Sequence, residues 1–422
     1  MKYVSTRGES APVSASEAML QGLAPDGGLY VPSIFPYIPV ERLLHTTMYP
    51  ELAYEVLAPF FVGDELEGEL AEICMEAFNF PVPLHYHNEA ESTLELFWGP
   101  TATFKDFGAR FLAIAIDRLL AKKKERLTIL VATSGDTGGA VASAFYKREH
   151  IDVKVLFPKG KVSSRQEKQL TCWGENIQSF AVNGTFDDCQ RMVKEAFMDP
   201  KINDQYRLSS ANSINLGRLL PQMVYPFYAS LEVFTRTKSE PTVIIPSGNV
   251  GNSCATYWAK VVGAPIHKVV LALNANRTIA DYIDSGIYEK RKSIATYANA
   301  MDVGDPSNME RLLHLFGSHE EFVKEVSAYS VSDDVISETI TDVYQKYNYV
   351  VCPHTATGEK VRTLLKTLHP TIVYATAHPA KFETIVEPLI GKKIEVPEQL
   401  ASLLEKESTF KEIDADYTLL FS

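Results

Sequence analysis

The chain has 422 residues and a formal net charge of −12, with 41 Lys and Arg against 53 Asp and Glu. That sign disfavours nucleic acid as a partner, because a phosphate backbone recruits positive charge. A hydrophobic fraction of 45% suits a globular enzyme, and the length points to two or three domains rather than one core. The cysteines (Cys74, Cys172, Cys189, Cys254, Cys352) are scattered without CxxC spacing, which argues against a disulfide framework or a zinc site, so no metal is expected. Met1 to Ser10 lacks an apolar signal core and no run reaches membrane-spanning length, so we expect a cytoplasmic protein that engages no membrane.

Residues 1–90 read as a mainly helical N-terminal section, with amphipathic stretches at Ser16–Leu23, Glu51–Ala58 and Glu65–Phe78 and a Pro-rich link at Val31–Pro39. From Leu94 onward short apolar runs alternate with helix-like stretches. Strands are expected at Leu127–Ala132, Val153–Phe157, Ile177–Val182, Val243–Ile245, Val269–Asn274, Tyr349–Val351 and Ile372–Ala375. That alternation signals an α/β fold with mostly parallel sheets. Lys122-Lys123-Lys124 reads as a solvated helix end, and Pro397–Ser422 as a docked C-terminal extension.

Three segments carry candidate chemistry. Gly99-Pro100-Thr101-Ala102-Thr103-Phe104-Lys105-Asp106-Phe107-Gly108 delivers a lysine among bulky apolar neighbours, just before the apolar run Phe111–Leu120. Burial disfavours an ammonium and lowers its pKa, which is what a Schiff-base lysine needs. Thr133-Ser134-Gly135-Asp136-Thr137-Gly138-Gly139 and Pro246-Ser247-Gly248-Asn249-Val250-Gly251-Asn252 each follow a strand and open a helix. Such a junction aims free N–H groups and the helix dipole at an anion. Neither has P-loop or G-x-G-x-x-G spacing, so a nucleotide polyphosphate is not implied. One lysine and two anion cradles suit pyridoxal 5′-phosphate (PLP) acting on an amino acid.

These segments resemble the threonine synthase family of fold-type II PLP enzymes. Four more agree in order along nearly the whole chain: Tyr3–Gly8 with Gln21–Leu29, Asn183–Cys189, Asn212-Ser213-Ile214-Asn215, and Ala375–Phe382. The resemblance implies two open, twisted, mostly parallel sheet domains with PLP in the cleft between them. The smaller would span 111–225. The larger would collect 91–110 and 226–422, including the C-terminal extension. The implied reaction converts O-phospho-L-homoserine and water to L-threonine and phosphate. The partner is then that small molecule, and the enzyme is expected to be a monomer or homodimer. A related phospholyase would share the cofactor but release a keto acid, ammonia and phosphate. A PLP-less binding module would need an eroded lysine or loops, and all are intact.

By the same resemblance, Lys105 carries PLP and shuttles protons, Gly248, Asn249, Val250, Gly251 and Asn252 bind its phosphate, and Thr376 faces its pyridine nitrogen. Ser134, Gly135, Asp136 and Thr137 should take the substrate carboxylate. Asp136 also stands where relatives in the wider fold place an Asn against the cofactor hydroxyl, and an ionised Asp can only accept there. Asn212, Ser213, Asn215, Arg218 and Lys168, with Arg165 beside it, are candidates for the substrate and its phosphate, since Arg offers a planar fork for phosphate oxygens. Cys352 stands where relatives often carry Asp. His354 and His378 are expected to be structural.

Overall fold

The computed structural model describes residues 1–422. Thirteen strands form three sheets; in chain order they begin with β1 (Tyr3–Ser5), β2 (Tyr30–Pro32), β3 (Leu84–Tyr86), β4 (Glu91–Glu95), β5 (Leu127–Ala132), β6 (Ile151–Pro158) and β7 (Ile177–Asn183). Then follow β8 (Leu208–Ser210), β9 (Thr242–Pro246), β10 (Lys268–Leu273), β11 (Val326–Ser330), β12 (Thr371–Ala375) and β13 (Lys411–Asp414). Strands β1 and β2 make an antiparallel ribbon in the N-terminal section. The larger sheet has the order β11-β10-β9-β12-β4-β3 and is parallel except at its β3 edge, whereas the smaller, β13-β7-β6-β5-β8, is parallel throughout. Central strands β5, β9 and β12 are buried along their whole length, the pattern of sheets covered on both faces.

The helix Lys105–Lys123 joins the two sheets. It is apolar nearly all round, with Phe107, Phe111, Leu112, Ile116 and Leu119 buried, so it runs through the core rather than along the surface. A left-handed Lys124 ends it, with a φ of 54°. The expected boundary at residue 110 therefore falls inside one continuous helix.

Two sequence expectations need correction. Tyr349–Val351 is not a strand: Asn348 turns left-handed at a φ of 51°, and the chain leads straight into the helix Pro353–Leu364. The C-terminal extension does not belong to the larger sheet, because β13 pairs with β7 and covers one edge of the smaller one. Its sequence, Lys411-Glu412-Ile413-Asp414, is mostly exposed and lacks the apolar signal of a buried strand. No helix is long and apolar enough to cross a membrane.

Candidate active site

A parallel strand delivers its following loop at its carboxyl end, and the candidate segments sit at such ends. β4 leads into the Lys105 loop, β9 into Ser247–Asn252, and β12 into Thr376. From the smaller sheet, β5 leads into Ser134–Thr137 and β8 into Asn212–Asn215. These loops converge on one cavity of about 570 Å³, lined among others by Lys105, Asp136, Arg218, Asn252, His354 and Thr376.

Lys105 is the first residue of its helix. The loop before it is clamped: the Phe104 amide and the Thr103 hydroxyl both donate to the Thr376 carbonyl, at 2.9 and 3.1 Å. Asp106 accepts from the Thr101 amide at 2.9 Å and its hydroxyl at 2.6 Å, and Gly99 is required because a Cβ there would lie 2.5 Å from that carboxylate. Burial is the largest influence on the amine and pushes it down to about 8, with Lys381 and Arg218 adding to the effect and Asp136 opposing it. The positive end of the helix dipole acts in the same direction as burial.

In the second loop, the amides of Gly248, Asn249, Val250, Gly251, Asn252 and Ser253 meet no acceptor within the chain. Val250 holds a left-handed φ of 48° to aim them, and a Cβ on Gly248 would lie 2.6 Å from the Met301 Cα. The buried Asn252 Nδ2 is also without a partner, while its Oδ1 accepts from Tyr225 at 2.7 Å. Asn249 serves the loop rather than the cavity: its Nδ2 donates to Ser213 Oγ at 2.6 Å and its Oδ1 accepts from the Ser307 amide at 2.5 Å. A pocket of unanswered N–H donors at a helix N-terminus fits a phosphate group, and an amine in the same cavity that gives up its proton more easily than an ordinary lysine fits the aldehyde of PLP.

In the first loop, the amides of Ser134, Asp136 and Thr137 are likewise without acceptors. Gly135 is a correction. Its amide donates to Thr133 Oγ1 at 3.0 Å, and its φ of 137° with the close approach of Gln166 explains the glycine instead. Asp136 is buried and paired with Lys381 at 2.8 Å, and Gln166 Nε2 donates to the same oxygen at 3.0 Å. Burial alone would raise this carboxyl; the positive charge of the neighbouring lysines, Lys381 first, outweighs it and holds the group well below the usual carboxylate range.

Arg218 is buried, and its Nε has no partner; only Nη1 donates, to the Ala211 carbonyl. Gly108 makes room for it, since a Cβ there would lie 2.4 Å from the Arg218 carbonyl oxygen. Beside it, Asn212 Oδ1 is buried and unpaired. Three other candidates are elsewhere. Asn215 is fully buried and caps Gly217 while donating to the Met19 and Ser210 carbonyls, so it fixes the loop without facing the cavity. Lys168 donates to Ser408 at 3.3 Å on the outer side of its helix, and Arg165 pairs with Glu383 at 3.3 Å.

The histidines behave as structure. Burial pushes His354 down to about 4, and its Nε2 accepts from the Ala300 amide at 3.1 Å although the ring lines the cavity. His378, also pushed down to about 4 by burial, caps the turn Pro379–Phe382 through Nδ1. Cys352 caps the helix Pro353–Leu364 by accepting from the Thr355 amide at 3.5 Å, a capping role that Asp also fills well.

Sequence reasoning missed Lys381, although it lies in the quoted Ala375–Phe382 segment, and Gln166, next to the quoted Arg165. It also missed Arg311, a fully buried cation that donates to the carbonyls of Tyr30, Ser213 and Ile214 and ties the N-terminal ribbon to the Asn212 loop. No local pattern marks that residue.

Residues 94–366 match the family model described as pyridoxal-phosphate dependent enzyme, residues 2–78 that of the threonine synthase N terminus, and residues 355–420 that of the threonine synthase C-terminal region. The threonine synthase of Buchnera aphidicola from Acyrthosiphon pisum is 38% identical over 96% of this chain and 95% of its own. The PLP-bound threonine synthase of Brucella melitensis superposes with a TM-score of 0.94 at 36% identity, covering 100% of this chain and 98% of its own. That of Escherichia coli gives a TM-score of 0.92 at 35% identity over 100% and 98%. Cavity, loops and lysine thus lie within a full-length match in sequence and fold, and the chain belongs to the threonine synthase family of PLP-dependent enzymes.

Proposed function

We infer that this cleft makes L-threonine from O-phospho-L-homoserine and water, releasing phosphate, with PLP bound at Lys105. The observation that carries the reading is the pairing of a lysine whose amine burial pushes down to about 8 with two separate sets of unanswered backbone donors in one cavity. PLP supplies an electron sink for carbanions next to the substrate amine. The Gly248–Asn252 amides and Asn252 Nδ2 would hold the cofactor phosphate. Thr376, which follows β12 and lines the cavity, would offer the cofactor ring a neutral hydroxyl. The Ser134, Asp136 and Thr137 amides take the substrate carboxylate and so orient the carbon that loses its proton.

Arg218, with Asn212 and Ser213 next to it, takes the substrate phosphate. A guanidinium with an unanswered N–H is suited to a doubly charged leaving group. The Lys105 Nζ, which lines the same cavity, would accept and return protons along the substrate carbons. We place the enzyme in the cytoplasm, where its free, buried thiols stay reduced, acting as a monomer or homodimer on a small molecule.

The test is product identity. Purified protein given PLP and O-phospho-L-homoserine should release threonine and phosphate in equal amounts. Phosphate with ammonia and a keto acid, and no threonine, would overturn the assignment of the second half-reaction.

A further inference from the structure

Behind Lys105 a chain of buried polar groups crosses from one sheet to the other. Lys381 follows β12 of the larger sheet and is completely buried. It pairs with Asp136, which follows β5 of the smaller sheet, at 2.8 Å and donates to the Thr101 carbonyl in the Lys105 loop at 2.9 Å. Gln166 and Gln169, both on the helix Ser164–Thr171, extend it. Gln166 donates to Asp136 and accepts from Asn299 at 3.1 Å, while Gln169 donates to Thr101 at 3.0 Å. Every buried polar group along this line has a partner except Asn299 Oδ1.

Asp136 lies between two buried amines, and the geometry decides which one it serves. A carboxylate in a low-dielectric site spends its charge chiefly on the amine it touches. It touches Lys381 and makes no ion pair with Lys105. We propose that Lys381 is a positioning residue of this site: by pairing with Asp136 across the two sheets it occupies the carboxylate that would otherwise capture the Lys105 amine, and so makes that amine easier to deprotonate for the cofactor. The proposal rests on the reading that Lys105 carries PLP.

The other charged or titratable groups around Lys105 do not provide this. Arg218 adds positive charge from the short helix Leu216–Leu219. His354, on the helix Pro353–Leu364, is held neutral, as is His378 in the turn that carries Lys381. Asp106, on the Lys105 helix itself, is turned to Thr101. Asp136 is thus the anion in dispute between the two lysines.

The full-length chain is stripped of cofactor, and the rate at which it captures added PLP is followed by absorbance from about pH 6 to 10, the range that brackets a lowered lysine. Capture needs the neutral amine, so its pH midpoint reports Lys105. Lys381→Met should raise the midpoint by about one unit and slow capture near neutrality about tenfold. Lys381→Arg should stay near the parent. Asp136→Asn, which changes shape least and keeps the test open if the Met variant fails to fold, should lower the midpoint. An unchanged midpoint in Lys381→Met or in Asp136→Asn, or an Arg variant that behaves like Met, overturns the proposal and leaves Lys381 a purely structural residue. Borohydride mapping of the parent separates the two levels. An adduct on Lys105 with flat midpoints defeats this proposal alone, whereas an adduct elsewhere defeats the reading beneath it.

Discussion

Arg218 carries its charge to a place where no carboxylate of the chain pairs with it. Burial pushes it down only to about 10, so it stays cationic, and the unanswered Nε is a standing cost that a bound anion removes. Arg218→Ala should raise KM for O-phospho-L-homoserine by roughly one to two orders of magnitude, because a charged hydrogen bond contributes about 1.5–3 kcal/mol. PLP occupancy should remain normal, and a variant that loses PLP while keeping KM would reverse the two anion sites. Thr376 makes a complementary prediction. Thr376→Ser keeps the hydroxyl and should retain near-parental turnover, whereas Thr376→Asp would hold a proton on the pyridine nitrogen and deepen the electron sink. Stopped-flow spectra with substrate should then show a persistent long-wavelength band and slow turnover for the Asp variant only; normal turnover with an unchanged spectrum would remove Thr376 from the nitrogen. Lys105 and Arg218 can be picked out of the sequence because each stands in a compact motif, and the structure brings both to the cavity. Asn215 and Lys168 misled because a motif does not say which way a side chain points. Lys381 was overlooked because its meaning lies in a partner more than two hundred positions away.

The loops that follow β5 and β9 share one plan, a strand feeding a helix through backbone that ordinary residues adopt reluctantly. Gly248 and Gly251 separate two uses of glycine in that plan. A Cβ on Gly248 would meet backbone, Met301 Cα at 2.6 Å and the Ala300 oxygen at 3.2 Å, whereas one on Gly251 would meet the Asn308 side-chain amide at 3.3 Å. Gly248→Ala should therefore weaken PLP binding at least about tenfold, equivalent to about 1.4 kcal/mol, and Gly251→Ala by clearly less. Equilibrium titration of each variant with PLP checks the order, and equal losses would contradict the close approach. At this scale the sequence was read well where a buried strand or helix is long. Leu127–Ala132 is β5 to the residue. The helix after it begins at Asp136, inside the glycine-rich segment itself, and Thr133 Oγ1 supports its first turn by accepting from Gly138. Short or exposed strands such as β8 and β13 carry too little pattern to be seen.

The whole molecule brings two sheets together so that the carboxyl ends of their strands share one cavity, and the helix Lys105–Lys123 connects β4 of the larger to β5 of the smaller. Its burial on nearly all sides fixes Lys105 to the core rather than to a loop, so the position of the amine is set by packing contributed by both halves. The fold class followed from alternation of elements and family likeness. The crossing of the C-terminal tail to the smaller sheet did not, since strand pairing over a separation of some 230 residues leaves no local trace. PLP on Lys105 is the point on which every other role here depends, and the most direct measurement of it is borohydride reduction of the intact holoenzyme followed by peptide mapping. A pyridoxyl group is expected on the peptide containing Lys105, lost in Lys105→Ala. A pyridoxyl group on Lys381, the other amine buried at this site, or on any other lysine would contradict it.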